Sequence, residues 1–366
     1  MTEAVARILR GEAPAWSEVG ATPAAFLEYC EREDLIPLVH HNLHSGWPVE
    51  VSAALERAAR DAAAREMVRR QEITRVLTLL DEAGIRPIVF KGTALAYLVY
   101  PAPGLRPRND TDLLIRRADV DPARAVFAAT GYVEPAYSGD ELLFRQFEAQ
   151  REDSLGVHHA FDVHWEISTQ SAFANLLSYD DLANYSVPAP MLGAAARAAG
   201  PVEALLIACV HPAMHHRNEE RLIWLFDVHL LAGRLAPEEW KRFSATALSR
   251  KTGVVCAYAL RHAHDLLGTA IPPHIINNLE SAAGDEPTAA YLDRSRSWRH
   301  EVGANIRGLS SWSDRLGLLR EIAFPRPSYI LEKYEWKDTL PARLGLPWLY
   351  FRRAMEGTWK VVSGKK

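Results

Sequence analysis

Two aspartates one residue apart, Asp110 and Asp112, are the side chains in this 366-residue chain whose spacing most suggests chemistry. The segment Asp110-Thr-Asp-Leu-Leu-Ile115 reads as a strand. Side chains alternate on a strand, so the two carboxylates share one face while Thr111 and Leu113 take the other. Like charges side by side raise each other's pKa unless a cation lies between them, and hard oxygen ligands at this spacing suit Mg²⁺. A third carboxylate, Asp162, lies in Val157–Ile167, where alternation puts His158, Ala160, Asp162, His164 and Glu166 on one face. Upstream, Lys91-Gly92-Thr93 closes a short strand and opens a helix, a turn that offers backbone N–H groups, a cation and a hydroxyl to an anion. Arg106 and Arg108, in the loop between, are placed to reach a polyphosphate. Three carboxylates beside a glycine turn suit two-metal phosphoryl or nucleotidyl transfer, with Asp162 ligating the metal that activates the acceptor and helping to deprotonate it.

The elements that must position these groups follow from periodicity. Residues 1–84 read as helical, with a clear stripe from Ser52 to Leu80 and Gly84 as a stop. The pattern then changes to a strand (Arg86–Phe90), a short helix (Ala94–Tyr100), a Pro/Gly/Arg loop (Pro101–Asn109) and the aspartate strand. Asp121 with Pro122 opens a helix running to Gly131, and strand-like pieces follow at Tyr132–Tyr137 and Val157–Ile167. This α/β block, 85–187, ends at the joint Val187-Pro-Ala-Pro190. Helices dominate 188–366: Pro201–His216, Glu219–Ala232, Pro237–Arg250 and Thr252–Leu267, then a break at Pro272-Pro273. Pro341, Pro347 and scattered glycines predict only short helices in the tail.

The order strand, Lys91-Gly92, helix with Leu95 and Tyr100, loop with Arg106, Asp110/Asp112, then Asp162-Val-His164-Trp165, resembles the polymerase-β-like nucleotidyltransferase superfamily. The further stretches His211–His215 and Trp224-Leu-Phe-Asp227 make it similar to the bacterial "nucleotidyltransferase family protein" group, over about 80–235. Many superfamily members carry Gly-Ser at the position of Gly92-Thr93; the hydroxyl is kept. The resemblance implies a polymerase-β-like core with a short mixed sheet, flanked by N-terminal helices and a C-terminal helical domain. It implies metal ligation by Asp110, Asp112 and Asp162, nucleotide contacts from Lys91, Gly92, Thr93, Arg106 and His164, two Mg²⁺ ions, and an NTP (ATP among them) as co-substrate. The expected reaction moves an NMP to a small-molecule, sugar or peptide acceptor, in a tailoring role in natural-product or polysaccharide synthesis.

Two neighbouring signals need separate readings. His211 and His215 stand four apart on a predicted helix, but Pro212 and the crowding of His216 and Arg217 argue against a dedicated zinc site. A basic wall near the nucleotide or acceptor, or a packed helix end, fits better. Asp227 lies in an apolar helix and needs a partner, expected from the His211/His215 helix.

Composition bounds these readings. Apolar residues make up 48% and charged residues 24%, enough for a core, and the net charge is −4. That balance disfavours long nucleic acid as the default acceptor. Residues 291–366, however, carry 15 Lys/Arg against 8 Asp/Glu and five of the ten Trp. Such a region leaves an RNA- or tRNA-directed enzyme as the alternative, and a catalytically silent nucleotide- or peptide-binding module as another. Three scattered cysteines, the acidic start of the chain and the lack of a run of roughly 20 apolar residues predict a cytoplasmic protein without a membrane span.

Overall fold

In the computed structural model, which describes residues 1–43, 46–135, 145–282, 284–296, 302–306, 311–337 and 339–363, the chain opens with helices. They are α1 (Thr2–Leu9), α2 (Trp16–Val19), α3 (Pro23–Arg32), α4 (Ile36–Asn42) and the 34-residue α5 (Val49–Glu82). The Thr22 hydroxyl caps α3 by accepting from the Ala25 N–H, and Pro23 fills the first turn, where a missing N–H costs nothing. After α5 the chain reverses at Gly84, whose φ of +78° is a left-handed conformation open to glycine.

The central block holds β1 (Ile88–Phe90), α6 (Lys91–Leu98), β2 (Thr111–Leu114), α7 (Val120–Ala129), β3 (Gln146–Glu152) and β4 (His158–His164). Beyond α8 (Tyr179–Asn184) come two short strands, β5 (Val187–Pro188) and β6 (Arg197–Ala198). The strands form one mixed sheet in the order β3-β4-β2-β1-β6-β5. β2 runs parallel to β4 and antiparallel to β1, and β3 lies antiparallel to β4. The mixed α/β core expected from sequence is present.

Three local expectations are corrected. Lys91-Gly92-Thr93 is not a turn ahead of a helix but the first turn of α6 itself, and that helix ends at Leu98 rather than Tyr100. The strand expected at Tyr132–Tyr137 is reduced to a bridge between Val133 and Gln150, and residues 136–137 lie outside the described residues. The ladder strand beside β4 is instead Gln146–Glu152, where only Phe147 and Ala149 are buried apolar groups among charged and amide side chains.

Alternation along the strands divides the core. Val89, Leu113, Phe147, Phe161 and Val163 pack on one side with Phe127 of α7 and with Ile73, Val76, Leu77 and Leu80 of α5. Ile88, Phe90 and Leu114 point to the other side, against a helical layer of α9 (Pro201–His215), α10 (Leu222–Ala232), α11 (Pro237–Ser249), α12 (Gly253–Leu267) and α13 (Pro273–Ala282). Residues of α1, α3 and α4 belong to this same second cluster. The tail forms a small core of its own around Ile330, Leu331, Ala342 and Leu349. Its last helix, Leu346–Ser363, has 18 residues and is not a short piece, because Pro347 falls in its first turn. No helix among the described residues is long and apolar enough to cross a membrane.

One buried ion pair ties the loop after α6 to α10. Arg106 Nε donates to Asp227 Oδ1 at 2.9 Å and Nη2 to Oδ2 at 2.7 Å, while the Tyr100 hydroxyl donates to Oδ1 at 2.6 Å. Removing one member of a buried pair strands the other charge, at a cost of about 3–5 kcal/mol. Asp227→Ala should therefore lower the urea-unfolding free energy by about that much. The double change Arg106→Met/Asp227→Leu should recover much of the loss. A single-variant loss under about 1 kcal/mol would show that the pair is not the tie described.

Candidate active site

Register places the acidic groups. In the parallel β2–β4 pair Asp112 lies opposite Asp162 and Leu114 opposite His164, while Phe90 of β1 lies opposite Asp112 on the other flank. One donor atom from each of Asp112, Asp162 and His164 lies within 4.8 Å of the others. Asp112 and His164 are buried, and His164 Nε2 is 3.0 Å from Asp112 Oδ1. Lys91 Nζ donates to the same oxygen at 2.7 Å, and Gln146 Nε2 donates to Asp162 Oδ2 at 3.2 Å. The edge of Phe90 packs on the His164 ring, with centroids 5.2 Å apart.

Lys91 reaches this position from an unusual backbone. Its φ is +52°, the left-handed region that lysine rarely occupies. Strain of this kind persists where the surroundings over-determine it; here the short ion pair to Asp112 offsets it.

The electrostatics divide the carboxyls. Burial alone would raise the Asp112 carboxyl, but the Lys91 ammonium and the His164 hydrogen bond outweigh it and hold Asp112 well below the usual carboxylate range. Among the described residues Asp162 makes no ion pair; burial, then Asp112 and Asp110, push it up to about 8 against a weaker pull from Lys91. Asp110 is pushed up to about 6 by burial and by Asp112. His164 is held down to about 4 by burial and by Lys91, so its imidazole is neutral and can serve as a nitrogen ligand. Two crowded carboxyls titrating this high mark a site short of positive charge. A divalent cation fits that deficit, and Asp112, Asp162 and His164 are the residues that could hold it.

The cleft around this group has a volume of about 380 Å³ and lies between the sheet and α9–α10. Asp110 and Gly92 line it beside Lys91 and the Asp112/Asp162 pair. Asp110, expected as a ligand with the other two, stands outside the tight group, whose third member is His164. A Cβ built on Gly92 would meet Arg106 and Arg108 only at 3.8 Å, so the protein's own packing leaves room there. Thr93 is buried away from the cleft: its hydroxyl accepts from Arg108 Nε at 2.8 Å and donates to the Asp110 carbonyl at 3.3 Å. Arg106 and Arg108 border the cleft, but both guanidiniums are already engaged, Arg106 with Asp227 and Arg108 Nη2 with Glu66 Oε1 at 2.7 Å. They act from behind as struts of the loop that leads into β2.

The Asp227 expectation is corrected: its partners are Arg106 and Tyr100, not the helix of His211 and His215. Those two histidines do border the cleft, with His216 and Trp224. Burial, reinforced by His215 and Lys91 at His211 and by Lys91 and His164 at His215, lowers the pKa of both histidines well below the ordinary imidazole value. Their wall is neutral rather than basic. Sequence reasoning missed Gln146, because the strand carrying it has a weak apolar pattern, and Glu66, which lies on a helix remote in sequence from the loop it braces.

A mixed sheet thus presents two register-paired aspartates to a cleft under a helical layer, with His164 buried behind Asp112, and this is a candidate metal site of the kind a nucleotidyltransferase uses. The family model described as "Uncharacterised nucleotidyltransferase" matches residues 20–268, and the chain belongs to that family. No curated protein matches the chain.

Crowding at Asp162 has a measurable consequence. Its folded pKa of about 8 lies above the ordinary 3.8, so the folded state keeps the proton longer than the unfolded chain. The metal-free protein should lose stability through this group as pH rises from about 4 to about 8. Asp162→Asn should raise the melting temperature at pH 8.5 by a few degrees, at about 2–4 °C per kcal/mol, and by much less at pH 5. Equal gains at both pH values in differential scanning calorimetry would contradict this account.

Proposed function

We propose that the protein is a Mg²⁺-dependent nucleotidyltransferase that moves a nucleoside monophosphate from an NTP to a small-molecule, sugar or peptide acceptor. The observation that carries this reading is the cross-strand pairing of Asp112 with Asp162 beside His164 and Lys91, at the N-terminus of α6. Membership of the family supports the donor class, and the net charge of −4 favours a small acceptor over long nucleic acid.

Each residue has a task in that reaction. Asp112, Asp162 and His164 would hold the divalent cations, with Asp110 completing the acidic rim. Bound cations supply charge neutralisation for the triphosphate and lower the pKa of the acceptor hydroxyl. The oxygen donors suit Mg²⁺, and the single imidazole nitrogen extends the set to Mn²⁺. Gly92, bare of a side chain in the first turn of α6, lets a phosphate approach the free backbone N–H groups there. Lys91 provides a nearby ammonium for charge that develops on the leaving pyrophosphate. Asp162, with Oδ2 held by Gln146, takes the acceptor's proton on its other oxygen. The acceptor oxygen then bonds to the α-phosphorus, the bond from that phosphorus to the bridging oxygen breaks, and pyrophosphate leaves with the electron pair.

The test is incubation with each α-labelled NTP, Mg²⁺ and a cell extract, following by mass where the label lands, together with pyrophosphate release. Label on a small acceptor is expected. Asp112→Asn should lower the rate by at least about 10²–10³-fold, the scale for loss of a preorganised electrostatic group. Transfer by that variant at the wild-type rate would remove the proposal, and label on RNA would redirect it to a nucleic-acid acceptor.

A further inference from the structure

We propose that the ring wall formed by α9 and α10 receives the planar base of the donor nucleotide, with the outer face of His216, backed by Trp224, stacking on it and His211 Nδ1 and His215 Nε2 reading its edge. This assignment rests on the nucleotidyltransferase reading above and adds to it where, and by what contacts, the base is recognised.

The cleft face of α9 changes character along its length. Ala204, Ile207 and Ala208 line the cleft at helical spacing and are followed on the same face by His211 and His215. No formal charge stands among these five residues, whereas the charged groups Lys91, Asp112 and Asp162 project from the sheet side. A ligand with one polyanionic end and one flat, uncharged heteroaromatic end matches both halves of such a cleft. The rings also form a coherent surface. His216 and Trp224 lie with centroids 4.4 Å apart and planes 31° from parallel, and His211 meets the Trp224 ring edge-on at 5.2 Å. Arg221 lies over Trp224 at 5.1 Å from its centroid, and its Nη2 is anchored to Asp34 Oδ2 at 2.6 Å. The Trp224 ring is thereby held in place behind His216.

The second observation points to a ligand directly. His211 Nδ1 and His215 Nε2 are buried and have no hydrogen-bond partner. A buried polar nitrogen left unpaired costs free energy unless something arrives to satisfy it. A neutral imidazole nitrogen can donate or accept according to tautomer, which suits the mixed donor and acceptor edge of a base. A chelated metal does not suit them: among the described residues no group of three metal-ligating atoms within 4.8 Å includes either histidine. Stacking a base on an aromatic side chain contributes about 1–3 kcal/mol and tolerates any base, so edge contacts must supply the discrimination.

The experiment measures dissociation constants of the full chain for the four Mg-NTPs and for Mg-tripolyphosphate by calorimetry. Variants are His211→Phe and His215→Phe, which keep a ring and remove the nitrogens, and Trp224→Leu. Wild type should bind at least one NTP about tenfold or more tighter than tripolyphosphate. Each histidine variant should weaken that NTP about tenfold, the scale of one lost hydrogen bond in a closed site. Tripolyphosphate binding should stay within about twofold, which also certifies the fold. Trp224→Leu should weaken all four NTPs alike. Equal wild-type affinity for NTP and tripolyphosphate would overturn the assignment. So would variants that weaken both ligands equally, or variants that spare NTP binding while raising KM for the acceptor. Failure of wild type to bind either ligand with Mg²⁺ would instead remove the nucleotidyltransferase reading, and this assignment with it.

Discussion

Two carboxylates set opposite one another on adjacent strands, one buried and one half-buried, constitute the constraint around which the rest of the molecule is arranged. Asp112 and Asp162 share a register position, so neither can rotate out of the other's field without leaving the sheet face. The chain compensates one of them from within, through Lys91 and His164 on a single oxygen of Asp112. It leaves the other undercompensated: among the described residues its hydrogen-bond partner is the neutral amide of Gln146. A fold selected for stability alone would replace such a pair with apolar residues. Such a pair at a cleft fits a site whose negative charge a bound cation could offset.

The packing explains how the pair is held there. Alternation commits one face of β1, β2 and β4 to α5 and α7, and the opposite face to α9–α13, leaving the polar ends of those strands under the helical layer. The linkage between layers is polar as well as apolar. Arg106 clamps Asp227, and Arg108 bridges Thr93 to Glu66, so the loop entering β2 is fixed from both the α10 side and the α5 side. Fixing that loop fixes the backbone on which Asp110 and Asp112 sit. The N-terminal helices matter to this arrangement because α1, α3 and α4 complete the apolar cluster beneath α9 and α10.

Much of this was legible from residue order. Period-two alternation placed Asp112, Asp162 and His164 on common faces, and the Lys91-Gly92 step located the strand-to-helix junction. The four helices between Pro201 and Leu267 were visible to within a few residues, since their apolar stripes are unbroken, whereas the tail's long last helix was not. What could not be read was long-range partnership. Arg106 and Arg108 read as cations waiting for phosphate because nothing local reveals that Asp227 and Glu66, 121 and 42 positions away, neutralise them. β3 escaped notice because its Gln, Glu and Arg side chains mask a two-residue apolar alternation. The neutrality of the α9 histidines depends on burial, which no sequence window reports.

The conformation of Lys91 carries a consequence for how this position can change over time. Its backbone, at φ +52°, is best served by glycine or asparagine, while its neighbour across the sheet demands a long side chain ending in a cation. No genetically encoded residue satisfies both demands. A substitution at 91 that eases the main chain therefore gives up the cation that offsets Asp112.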